Sequence, residues 1–439
     1  MHKPNLLKRR LTALREQAWL RVLLYIAAVP LFPEYCAPVL GILALFAAWR
    51  DARADGRVLS LGSAGKVLLA YLVYQACLLP FAKMKLASLE SYCLWIFLFL
   101  TYLALANVLT DRGRLDNALY AFTLSAGAVG LIGCLQYFLR FLGLAAPLQF
   151  WEAVDTFIYG VFTSGFYLTW DGVRVASTFS NPNILGQYFV MIVPFAAHYA
   201  FHGKQQSRRN ICRFCLLAII GCAGFTFSRG TYIALLMVAL VLTIANIRSI
   251  VTILLSLLSA LLLVPDAVWN RLTSVGTLDH ASMERLNVWE ICIGLIAKNP
   301  LFGTGCGVQY TWNVMTANGI NAPHAHNIVL QLLVEGGIFG LCIMLFLGAR
   351  VTQSALTLLN QRESRTFGAT LIAFIVGFCT DGMVEYGFTF PKVMATFALV
   401  LAVTDAVCSL QLGRALSPLS ETVTLGGRLF GRRGATAHK

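Results

Sequence analysis

The chain has 439 residues, of which 58% are hydrophobic and only 12% charged. A soluble globular chain carries about 25% charged residues, so this composition excludes an ordinary soluble enzyme and points to one polytopic membrane domain spanning residues 1–439. The formal charge of +14 would suit a nucleic-acid partner, but its distribution along the loops assigns it to membrane topology and no nucleic acid is expected.

The chain opens with MHKPNLLKRRLTALREQ, a basic stretch that runs into an apolar span without a small-residue cleavage site, so a retained N-terminus is expected. The expected fold is all-α, with about twelve spans near 18–33, 35–49, 66–82, 92–109, 118–144, 183–201, 211–227, 230–247, 249–265, 327–350, 367–383 and 391–411. Each is close to the ~20 residues that cross hydrocarbon. Alternate connections then carry 25 of the 34 basic residues, among them Arg9, Arg10, Arg50, Arg112, Arg208, Arg209 and Arg362. That bias predicts that both termini and these loops are cytoplasmic.

Two long connections are left on the outer side, about 145–182 and 266–326. The second contains SMERLNVWEICIGLIAKNP, residues 282–300. Leu286, Trp289, Ile293 and Ile296 recur there at spacings of three and four, which predicts an amphipathic helix lying in the interface. Gly303, Gly305 and Gly307 predict a flexible turn after it. The twelve cysteines lie mostly in apolar runs, where they pack as small hydrophobes. Cys212 and Cys215 form a lone CxxC without a second pair, which does not make a zinc site. Cys292 and Cys306 share an outer loop, and their spacing leaves a disulfide open.

Three outer span starts carry polar signatures. STFSNPNILGQY begins at 177, FSRGTY at 227 and HAHN at 324. Asn181 before Pro182 is a favoured helix start. If these three N-termini meet, their free N–H groups and partial positive charge make an anion site. Arg174, Arg229 and Arg285 flank them, and a guanidinium can grip phosphate through paired hydrogen bonds. Each arginine alone also has the plain reading of a solvated or snorkelling side chain. Asn183, Ser228 and Asn327 are candidate supporting residues.

His324 and His326 are two apart, so on a helix they would point to different faces and make a poor metal pair. Outer acids are few and scattered, Asp381 and Glu385 among them, so no metal and no cofactor are expected. At a helix N-terminus a histidine is pushed towards the neutral form, which a general base requires. A packed, hydrogen-bonded role is the plain alternative for both rings. Glu335, inside the tenth span, is read as a structural group beside the Gly336–Gly337 pair.

In combination, the SNPN start, SRG in a short turn, R…W…NPLFGTG in a large outer loop, and HAHN followed by LLVEGG resemble the O-antigen ligase and polymerase superfamily. The resemblance is carried by residues 174–335 within the twelve-span topology. It implies a metal-independent glycosyltransferase of the bacterial inner membrane, acting on the periplasmic face. The implied donor is a glycan on undecaprenyl diphosphate, and the implied ligase acceptor is a sugar hydroxyl of lipid A–core. The family's Asn-preceding histidine falls on His326 and its outward arginines on Arg174, Arg229 and Arg285. The resemblance assigns no role to His324. A polymerase or a protein-directed oligosaccharyltransferase shares this donor, while a lipid-linked glycan flippase and a scaffold protein are readings of other classes.

Overall fold

In a computed structural model, residues 19–34, 36–54, 56–142, 174–245, 280–413 and 416–418 are described. The protein is an all-α polytopic membrane protein. Its helices among these residues are α1 (Trp19–Ala28), α2 (Cys36–Ala54), α3 (Ser63–Leu78), α4 (Lys85–Val108), α5 (Arg112–Phe141), α6 (Pro182–His202) and α7 (Gln206–Phe225). They continue as α8 (Arg229–Ala245), α9 (His280–Lys298), α10 (Gln309–Ala317), α11 (Ile328–Leu359), α12 (Arg365–Gly382) and α13 (Pro391–Leu412). Six of the described helices, α3 (with the following turn), α4, α5, α6, α11 and α13, are long and apolar enough to cross a membrane. The expected span at 249–265 and most of the first long outer connection lie outside the described residues.

Two helices form the centre. α6 and α13 have 89% of their apolar windows buried inside the protein, and they pack against each other and against α4, α7, α8 and α12. Burial on all sides fits helices that are apolar around their whole circumference. One polar exception on α13 explains how the layers are pinned. Asp405 accepts hydrogen bonds from Tyr102 OH on α4 (2.7 Å) and from the Ala64 backbone N–H (3.1 Å). A carboxylate thus meets the otherwise unpaired N–H groups at the start of α3.

The helix starts are locally encoded. Asn181 caps α6 by accepting from Asn183 N–H at 2.7 Å, with Pro182 in the first turn. Asn327 caps α11 by accepting from the N–H groups of Val329 and Leu330, both at 3.0 Å. Ser228, before α8, accepts from Thr231 N–H at 3.5 Å.

α11 is broken. Gly337 has φ 60 and ψ −164 inside it, a conformation open to glycine alone. The 299–305 stretch, NPLFGTG, docks into the break. Thr304 N–H donates to Val334 O (2.7 Å), Gly305 N–H to Glu335 O (3.1 Å) and Ile338 N–H to Pro300 O (2.9 Å). This turn thereby supplies the partners that the interrupted helix ladder loses. A Cβ on Gly337 would stand 2.3 Å from Leu301 C, and one on Gly303 would stand 2.6 Å from Glu335 C. The glycines read as a flexible turn are instead the close-contact points of a fixed dock.

α9 packs inward through a face that the sequence pattern did not single out, carrying Val288, Cys292 and Leu295. Leu286 and Ile293, on the apolar stripe expected to lie in the membrane interface, are 46% and 58% exposed. The helix is apolar on two faces, and periodicity cannot tell which one meets protein. Cys292 and Cys306 are both buried free thiols in separate clusters, so they form no disulfide.

Candidate active site

One cavity of about 220 Å³ opens where the starts of α6, α8 and α11 meet the first half of α9 and the end of α12. Its lining includes Arg174, Asn183, Ser228, Arg229, Arg285, His326, Asp381 and Glu385. The three arginines and the histidine singled out from the sequence therefore face one hollow, although they span more than 150 residues of chain. A larger surface depression at the other end of α11, around Thr352 and Asn360, holds no group suited to chemistry.

The segment before α6 places the first arginine. Val175 N–H donates to Phe225 O at 2.9 Å, which pairs this segment with the end of α7. Arg174 Nε donates to Thr226 O at 2.9 Å, and its terminal nitrogen donates to Asn183 Oδ1. Held at two points, the guanidinium is oriented in advance. Arg229 sits at the first position of α8, where the helix dipole adds to its charge. Arg285 is carried by α9, close enough to influence both His324 and Asp381 electrostatically.

The histidine loop is anchored from three directions. Trp289 Nε1 on α9 donates to Ala325 O at 3.0 Å. Ala325 N–H donates to Gln331 Oε1 at 3.0 Å, while Gln331 Nε2 donates to Glu335 Oε1 at 2.9 Å. Asn327 Nδ2 donates to Met383 O at 3.1 Å, tying the loop to the end of α12. Glu335 also accepts from Tyr386 OH at 2.8 Å. It is a fully buried, hydrogen-bonded group beside the helix break.

Within the loop, His326 has φ 46, a left-handed value that few non-glycine residues adopt. Its Nδ1 lies 3.3 Å from Glu385 Oε1, and His324 Nε2 lies 3.4 Å from the same oxygen. Glu385 accepts a further bond from Tyr386 N–H at 3.0 Å. Burial works against charge on Glu385, but the His326 and His324 rings and the Tyr386 N–H outweigh it, holding the carboxyl below its usual range. Glu385 is the residue that sequence reasoning missed. It lies 59 positions from His326 in a short turn, and its only signal was being one of the rare outer acids.

His324 is buried, and burial with the neighbouring His326 pushes its pKa down to about 3. Its Nδ1 accepts from His326 N–H at 3.2 Å. A ring nitrogen that accepts from an amide carries no proton, so neutral His324 holds its proton on Nε2, facing Glu385. This decides how the two histidines and Glu385 read as a metal set. Their donor atoms lie within 4.8 Å of one another, a spacing that suits a dication. Coordination would need the nitrogen that is protonated, and a metal-bound histidine normally donates through its other nitrogen rather than accepting there. With three guanidinium groups on the same hollow, the surrounding charge also disfavours a dication.

Chemically, the hollow pairs cations with a carboxylate-oriented imidazole. Glu385 faces Nδ1 of His326, which leaves Nε2 as the free lone pair. Residues 214–345 match the family whose model is described as O-antigen ligase. The match covers Arg229, Arg285, the histidine loop and Glu335, and excludes Arg174, Asp381 and Glu385. Among curated proteins, no match is found.

Proposed function

Taking as premise the O-antigen ligase superfamily that residues 214–345 support, we propose that this chain moves a glycan from undecaprenyl diphosphate to a sugar hydroxyl of lipid A–core, on the periplasmic face. The observation that carries the reading is the shared lining of one cavity by Arg174, Arg229, Arg285 and His326.

The donor's anomeric carbon is bonded to a phosphate oxygen. As the acceptor hydroxyl attacks from the opposite side, that bond breaks and the configuration inverts. The leaving diphosphate gains negative charge, which Arg174, Arg229 and Arg285 stabilise, each well-placed donor contributing about 3 kcal/mol. The acceptor's proton passes to Nε2 of His326, general-base help on the order of 10²–10⁴-fold. Glu385 faces the other nitrogen, fixes the ring and offsets the charge of the imidazolium that forms. Asn181, Ser228 and Asn327 shape the helix starts, and Asn183 orients Arg174. His324 holds the backbone of His326 rather than acting on substrate.

The test is a reconstituted assay with a lipid-linked glycan and a lipid A–core acceptor. His326→Ala is expected to abolish transfer in protein that still inserts and melts normally. Arg229→Ala and Arg285→Ala are expected to lose more activity than the Lys replacements, because Lys keeps charge without the paired geometry. Full activity in His326→Ala would remove it as base. A polymerase differs only in acceptor, and the lipopolysaccharide of a deletion strain separates the two. Loss of a ligase leaves bare core, whereas loss of a polymerase leaves core with one repeat.

A further inference from the structure

Beneath the arginines and the imidazole, the cavity reaches a buried carboxylate that the transfer chemistry above does not use. Asp381, at the end of α12, is only 2% exposed and lines the hollow. Its Oδ2 has no hydrogen-bond partner among the described residues. Gln187 on α6, fully buried, stands behind it within reach of its carboxyl. Buried polar atoms left unsatisfied are rare and each costs stability of the order of 1–3 kcal/mol. An unpaired oxygen on a buried carboxylate that lines a cavity marks a place where a ligand's polar atom is missing.

The position defines the ligand. Gly230 separates Asp381 from Arg229 in space, with a Cβ built on that glycine lying 3.6 Å from Asp381 Oδ1. Asp381 also senses both Arg285 and Glu385 electrostatically. It therefore lies close both to the arginines and to the carboxylate that faces His326. The group that must bridge the arginines and the base in a transfer is the sugar ring bonded to the diphosphate. A carboxylate accepts from a sugar hydroxyl, and the Gln187 amide behind it can hold the carboxyl in place. A site built to pair hydroxyl groups rejects analogues that lack them, because its own polar atoms are then left bare.

We propose that Asp381, backed by Gln187, is a hydroxyl-recognising subsite for the first sugar of the lipid-linked donor. This rests on the transferase reading above and adds to it a specificity determinant.

The experiment compares equilibrium binding of two carriers to purified full-length protein, undecaprenyl diphosphate with its glycan and bare undecaprenyl diphosphate. Asp381→Asn and Gln187→Met are expected to weaken the glycan-bearing carrier tenfold or more and to leave the bare carrier within twofold. Asp381→Asn, which keeps the shape and volume of the side chain, is expected to melt close to the wild-type temperature. Equal weakening of both carriers, or unchanged binding of both, overturns the subsite. A glycan-carrier defect accompanied by a lower melting temperature in both variants also overturns it, in favour of a structural role. If the wild type binds neither carrier, the transferase reading fails instead, which keeps the two failures distinct.

Discussion

His326 shows at the residue scale how local strain and function coincide. Three non-glycine residues among those described have positive φ, namely Ser177, Phe227 and His326. Phe227 and His326 line the cavity, and Ser177 lies three positions after Arg174. Such conformations cost of the order of 1–3 kcal/mol and persist only where surrounding contacts impose them. The contacts around His326 are the ring of His324, the cap at Asn327 and the carboxylate of Glu385. Glu385→Gln preserves shape but removes the charge facing Nδ1 and offers a donor in its place. Turnover is expected to fall on the order of 10²–10⁴-fold with the donor KM within a few-fold, measured in the reconstituted assay. An unchanged turnover number would strip Glu385 of its positioning role. His324 makes a separate, thermodynamic statement. Its pKa falls from 6.5 to about 3 on folding, so below 6.5 the unfolded chain binds a proton that the folded chain refuses. Stability from this group is complete above pH 6.5 and declines as pH drops towards 3. Melting temperature should therefore fall more steeply between pH 6.5 and 4 in the wild type than in His324→Asn, and parallel curves would disprove the assignment.

At the scale of elements, the broken α11 and the 299–305 turn form one unit. The break aligns the N-terminal half of α11, which follows directly on the histidine loop, against α9 and α12. Gly337→Ala would drive a methyl group into the Leu301 carbonyl and force an unfavourable φ. Loss of most transfer activity and a melting temperature lower by several degrees are expected, since 1 kcal/mol shifts the midpoint of a large domain by roughly 2–4 °C. Gly348→Ala, farther along the same helix with nothing within 4 Å of its Cβ, serves as control and should be neutral or slightly stabilising. If Gly337→Ala matches the control, the dock does not hold the site. Much of this unit was visible in the sequence as its parts. Capping at Asn181 and Asn327, the short arginine turn and the glycine-rich stretch after α9 are all local patterns. Their mutual docking was not visible, because hydrogen bonds from Thr304 and Gly305 to Val334 and Glu335 join segments 30 residues apart. The same limit explains Glu385, Asp381 and Trp289. Their roles arise from distant partners, and nothing in their own neighbourhoods announces them. The inward face of α9 went unread for a related reason, since the partners of Val288, Cys292 and Leu295 lie in other segments of the chain.

At the scale of the whole molecule, the distribution of polar groups separates an enzyme from a transporter. The cavity, its arginines and its histidines sit at one end of the bundle. The other end is closed by contacts of a static kind. Asp405 is bonded to Tyr102 and to the start of α3, and Asn107 Nδ2 donates to Ser60 O at 3.0 Å. Arg114 meets Asp51 at 3.4 Å, and a two-residue antiparallel ladder joins Ser60–Leu61 to Ser417–Pro418. Alternating access needs a substrate site that opens in turn to either side, generally near the midplane. Here the central helices α6 and α13 are buried along their length, and exposing the site to the second end would break the Asp405 cluster, leaving a buried carboxylate unpaired at several kcal/mol. Transfer is therefore expected in detergent micelles, where no gradient or second compartment exists, at a rate comparable to that in liposomes. The same assay with EDTA is expected to run undiminished, because the proton on His324 Nε2 occupies the position a dication would need. A requirement for sealed vesicles would favour vectorial transport over group transfer. Inhibition by EDTA, reversed by added zinc, would mean that His324 changes tautomer to bind metal, and the hydrogen-bonded account of the histidine pair would fall.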